Sequence, residues 1–143
     1  MTEAGYSGTP LLKKLGVKDG MNALFAGVPV RIELLEDFKN WKNFKRAKTH
    51  RGINGGPYDY IHYFTNMRTD LERAFPLLKN ELCQAGLIWI SWPKKASGVP
   101  CNMTDADIRS LGLKAGLVDI KVCAVDEIWS GLKFVIPVKD RKK

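Results

Sequence analysis

Apolar and polar positions fall in blocks along this chain, and the blocks predict helices and strands in turn. Thr9 followed by Pro10 reads as an N-cap with proline at the first helical position, opening a short helix through Lys14 that Gly16 stops. Asp19-Gly20 turns the chain into an apolar run, Asn22 to Gly27, expected as a strand. After Pro29, Ile32, Leu35 and Phe38 share one face of a second helical pattern. Residues 39–57 are basic and then glycine-rich, with room for one short, weakly specified strand.

The second half is more sharply patterned. Tyr58 to Phe64 is a continuous apolar and aromatic run after Gly-Gly-Pro, which suits a strand buried on both faces. Thr69 and Glu72 form a capping-box pattern for a helix with a stripe of Leu71, Ala74, Phe75, Leu78 and Leu82, ended by Gly86. Leu87 to Trp92 is a further buried strand, and Thr104 with Asp107 caps a short helix. Leu117 to Val125 and Leu132 to Val138 flank Trp129-Ser130-Gly131 and predict a β-hairpin, with Pro137 placing the last strand near an edge. These elements predict one α/β domain over residues 1–143: a short Rossmann-like, mostly parallel sheet flanked by helices, closed by a C-terminal antiparallel hairpin. The layout is similar to methyltransferase sheets without their cofactor motif. A loose basic tail is expected at 139–143.

Composition narrows the setting. The 143 residues suffice for one core without disulfides or metal. No apolar run reaches the ~20 residues of a membrane helix, and the first residues lack the features of a signal peptide, so a cytoplasmic protein is expected. Three cysteines, none in a C-x-x-C pair, and histidines at 50 and 62 give no metal-ligand spacing; no metal and no cofactor are expected. The net charge of +8 favours an anionic partner, or simply keeps the protein soluble.

In an open parallel sheet, ligands settle outside the carboxyl ends of the strands, where 27–30, 65–69 and 93–104 should meet. Lys94, Lys95, Ser97 and Gly98 place two ammonium groups, a hydroxyl and a flexible backbone there, a set suited to phosphate or carboxylate. Ser7, Gly8 and Thr9 at the first helix start offer N–H groups to an anion, supported by Tyr6, Lys13 and Lys14. Lys121, Asp126, Glu127 and Trp129 complete the set from the hairpin, one acid pairing with a motif lysine. A Lys94–Ser97 nucleophile pair is disfavoured, since a solvated lysine keeps its proton. Ala26-Gly27-Val28-Pro29 lacks the paired glycines a methyltransferase or dinucleotide turn would use, which predicts no tight binding of S-adenosylmethionine or a nicotinamide dinucleotide. Residues 39–51 carry six Lys or Arg, Trp41, Phe44 and no acid, a composition open to single-stranded nucleic acid. Phe38, Trp41 and Phe44 also recur as one helix face would.

Gly5-Tyr6-Ser7-Gly8-Thr9-Pro10-Leu11-Leu12-Lys13-Lys14-Leu15-Gly16-Val17, Trp92 to Val99 and Gly116 to Leu132 resemble the motifs of an uncharacterised bacterial family, a domain of unknown function best known from actinobacteria. The resemblance is loose over residues 28–57. It implies a small α/β domain and no assigned activity. From the residues themselves, the expected function is a noncatalytic anion-binding module for phosphate, nucleotide or phosphometabolite. The alternatives are a small enzyme on a phosphorylated or nucleotide substrate, and a nucleic-acid or protein interaction module.

Overall fold

The computed structural model describes residues 9–27 and 32–142. Six strands form one sheet in the order β2-β1-β3-β4-β6-β5: β1 Asn22–Gly27, β2 Asn43–Ala47, β3 Tyr58–Phe64, β4 Leu82–Pro93, β5 Val118–Ala124 and β6 Trp129–Val135. The first four run parallel, and β6 and β5 close the sheet antiparallel. The parallel strands are the near-continuous apolar runs, as burial on both faces demands.

Alternation along those strands makes two cores. On one face Phe25, Tyr60, Phe64, Trp89 and Trp129 pack with Leu15 of α1 (Thr9–Leu15) and Leu35 of α2 (Glu33–Glu36). On the other, Tyr63, Ile88, Ile90, Trp92 and Phe134 meet Leu71, Phe75 and Leu78 of α3 (Arg68–Asn80) and Ile108 of α4 (Asp105–Lys114). Trp89 is fully buried, and its indole N–H donates to the Leu15 carbonyl at 2.7 Å, fastening the end of α1 to the sheet. Trp89→Phe leaves that carbonyl unpaired beside a small cavity. It is expected to cost roughly 2–4 kcal/mol, read as a lower urea midpoint; an unchanged midpoint would remove Trp89 as the fastener.

Several local expectations are corrected. Thr69 and Glu72 do not cap α3, which begins one residue earlier; there Asn102 Oδ1 accepts the Arg68 N–H at 2.7 Å. Leu82 belongs to β4, paired with Tyr58, so the helix stops at Asn80 and Gly86 lies inside the strand. Pro137 does not mark an edge strand, because β6 lies between β4 and β5 and ends before that residue. Phe38, Trp41 and Phe44 share no helix: Phe44 sits in β2, and the three rings join Phe25 in one aromatic cluster. The predicted Thr104–Asp107 capping box is present on α4. The chain end carries a 3-10 turn, Val138–Asp140, and Arg141 Nε donates to the Ile136 carbonyl.

Candidate functional site at the carboxyl end of the sheet

The chain leaves β1 toward β2 on one side and returns to β3 on the other, so the β1–β3 boundary is the topological switch point, where open α/β sheets form their crevice. Gly27 ends β1 there with φ +108°, opposite Phe64 in register. A Cβ at Gly27 would lie 2.0 Å from the Phe64 carbonyl oxygen. Close approach of two backbones therefore requires this glycine. The loop residues 28–30 expected to share the crevice, like Tyr6, Ser7 and Gly8, lie outside the described residues.

Beyond β4 the loop to α4 walls a cleft of about 560 Å³, within the usual size of a ligand pocket. Trp92, Pro93, Val99, Pro100 and Met103 supply apolar wall, and Cys101, Asn102, Lys95, Asp105 and Asp107 the polar groups. Asp107 accepts the Thr104 N–H at 2.9 Å, and Arg68 lies 3.4 Å away. The Thr104 backbone bond, helped by its hydroxyl and Arg68, holds the Asp107 carboxyl below its ordinary range. The N-terminus of α4 is thus occupied by its own carboxylate and hydroxyl rather than held open for an anion.

The lysine loop fits this structural role. The Ser97 hydroxyl donates to the Lys94 carbonyl at 2.6 Å and accepts the Val99 N–H at 3.1 Å, and Gly98 at φ +76° ends a 3-10 turn, Lys95–Ser97. The hairpin does meet this loop: Lys94 N–H donates to the Ile128 carbonyl at 2.7 Å. Asp126, however, accepts the backbone N–H groups of Ile128 and Trp129 at 2.8 and 2.7 Å and so shapes the turn. Glu127 is exposed, and Trp129 is buried edge-on against Phe64. Lys121 reaches the Lys14 carbonyl at the end of α1, on the face opposite Trp92. Lys13 and Lys14 point to solvent.

Two hydrogen-bonded clusters escaped the sequence reading, because their members come from different elements. Tyr63 OH donates to both oxygens of Asp70, at 2.9 and 2.8 Å, and His50 Nδ1 lies 3.4 Å from Asp70 Oδ1. Burial, followed by the Asp70 bond and charge, raises the Tyr63 phenol far above its ordinary range. On the other face, His62 joins Tyr60 OH at 3.0 Å to Ser91 Oγ at 2.7 Å, all fully buried. Burial lowers the His62 pKa to about 3. A serine beside an imidazole suggests a nucleophile and base, but a base this weak and enclosed holds strands together instead. Within 39–51, Lys45 is hydrogen-bonded to Asn54 and Arg46 pairs with Glu36 at 2.8 Å, while Phe44 stacks on Phe25. Among the described residues, no helix is long and apolar enough to cross a membrane.

No model of a protein family matches the sequence, and no curated protein does. Solved structures do resemble the fold. A methyltransferase from Aquifex aeolicus, dependent on S-adenosylmethionine (SAM), superposes with TM-score 0.62 at 16% identity, covering 90% of this chain and 88% of that one. A TehB-like SAM-dependent methyltransferase from Corynebacterium glutamicum gives 0.61 at 13%, covering 92% and 88%. Magnesium protoporphyrin IX methyltransferase from Synechocystis, with bound S-adenosylhomocysteine (SAH), gives 0.58 at 12%, covering 93% and 82%. The expected noncatalytic anion-binding module is corrected by these likenesses, which are to enzymes. At such identities the likeness establishes architecture: the chain has a methyltransferase-type fold, with a six-stranded sheet closed by an antiparallel hairpin.

Proposed function

We propose that this chain is a methyltransferase-type enzyme that takes a flat, positively charged small molecule, SAM being the first candidate, in the cleft beyond β4. The observation that carries the reading is the lining of that cleft. The Trp92 indole and apolar walls suit a planar ring, and Asp105, exposed in the lining, suits a sulfonium better than a free anion. The similar folds named above belong to SAM-dependent enzymes, which supports the same ligand class.

The fit is divided. Trp92 and Asp105 match a ring and a cation, and when bound such a group would supply an electrophilic methyl. The β1 turn fits less well: Gly27 is needed against Phe64, and the residues after β2, Lys48 to Arg51, offer no carboxylate for ribose hydroxyls. Binding therefore depends on the β4 cleft.

Calorimetry with SAM, SAH and adenosine tests this. SAM is expected to bind more tightly than SAH, since the two differ in the charge on sulfur. Trp92→Leu and Asp105→Asn should each weaken SAM binding by about fivefold, the size of a modest cation–π or charge contact. Equal affinity for SAM and SAH, or no binding of either, would sink the proposal.

A further inference from the structure

We infer that His50, held by Asp70 and Tyr63, is a general base at the switch point, serving a substrate that presents a hydroxyl, amine or thiol. Three elements bring the group together at the carboxyl end of the sheet. Tyr63 lies in β3 beside Ala26 of β1, Asp70 is in the first turn of α3, and His50 opens the 3-10 turn His50–Gly52 just after β2. This is the boundary where an open parallel sheet admits a ligand.

The geometry fixes the roles. Tyr63 donates to both Asp70 oxygens and so holds the carboxylate in one orientation. Asp70 then faces His50 Nδ1 at 3.4 Å, a length that general-base pairs show before substrate tightens them. A proton on Nδ1 directed at the carboxylate leaves the lone pair on Nε2. The side chains of His50 and Asp70 are 22% and 28% exposed, open to a small substrate yet partly shielded from water. Arg68, two residues before Asp70, is turned instead to Glu72 and Asp107.

The step is a proton transfer. The substrate's X–H bond breaks, its proton passes to Nε2, and its electron pair remains on X as the nucleophile. The resulting imidazolium faces Asp70 and later returns its proton to water. The identity of the group that X then attacks rests on the reading given above.

The chain has two histidines, and His62 is fully buried, so His50 can be followed alone. Long-range proton–nitrogen NMR at pH 7.5 is expected to show His50 with its proton on Nδ1, moving to Nε2 in Asp70→Asn. Diethyl pyrocarbonate should acylate His50, and Asp70→Asn should slow this about tenfold, as loss of the carboxylate facing the ring implies. Tyr63→Phe, which frees Asp70 without removing it, should shift both readouts in the same direction. A wild-type proton on Nε2, or equal acylation of wild type and Asp70→Asn, would overturn the assignment. SAM calorimetry separates the two proposals, since absence of binding with the Nδ1 proton in place sinks the donor and leaves the base standing.

Discussion

Gly27→Ala is expected to leave little folded protein. The backbone at Gly27 has φ +108°, which L side chains rarely adopt, and its new Cβ would lie 2.0 Å from the Phe64 carbonyl oxygen. Neither strand can yield easily, because β3 is bound to β1 on one side and β4 on the other. Strain at such a dihedral costs roughly 1–3 kcal/mol, and forcing an atom into packed structure adds about as much or more. A loss of roughly 3–5 kcal/mol would consume much of the 5–15 kcal/mol a domain of this kind possesses. Gly98→Ala is the control: its φ is +76°, but nothing lies within 4 Å of the added Cβ. It should cost about 1 kcal/mol. Urea melts of the two variants decide the matter. If Gly27→Ala is no less stable than Gly98→Ala, this glycine is not fixed by the approach of β3, and a ligand-contacting role returns.

The sheet was largely legible because burial on both faces writes itself as unbroken apolar runs. Asn22 to Gly27 and Tyr58 to Phe64 have the predicted bounds. Edge strand β2 was not so written, since its exposed side carries lysine and arginine, and Phe38, Trp41 and Phe44 imitated helical spacing while packing from a loop and a strand. Thr69 looked like a cap because Thr-x-x-Glu is a local signal. The Arg68 N–H is instead satisfied by Asn102, 34 residues away, which no local pattern reveals. The candidate site divides in the same way. The loop from Pro93 to Thr104 lines a cleft, whose lining adds Asp105 and Asp107 to the Lys95 that the loop's own chemistry displays. Ser97 closes its own turn; of the acids that line the cleft, Asp107 carries the pattern of a helix cap and Asp105 carries no local signal. His50, Asp70 and Tyr63 carried no sequence signal, because parallel topology, not spacing, brings them together.

Acidification should destabilise this protein well before its carboxylates titrate, and His62 is the cause. Its imidazole lies between Tyr60 and Ser91 with no exposure, and burial lowers its pKa from 6.5 to about 3. The folded state thus binds a proton near pH 3, whereas the unfolded chain binds it near 6.5. Between those values the unfolded state holds more protons, so stability rises with pH and falls as pH drops. The contribution is fully present above pH 6.5 and declines by about 1.4 kcal/mol for each unit below it. Two units remove roughly 2–3 kcal/mol, and the window from pH 6.5 to 5 lies above most carboxylate titrations. Urea midpoints measured across that window should fall steadily for wild type. His62→Gln keeps two hydrogen-bonding ends and removes the titration; it should be less stable at pH 7 but nearly flat to pH 5. A wild-type midpoint that does not move between pH 6.5 and 5 would mean that His62 is protonated in the fold, and the chain from Tyr60 to Ser91 would then need a counter-charge.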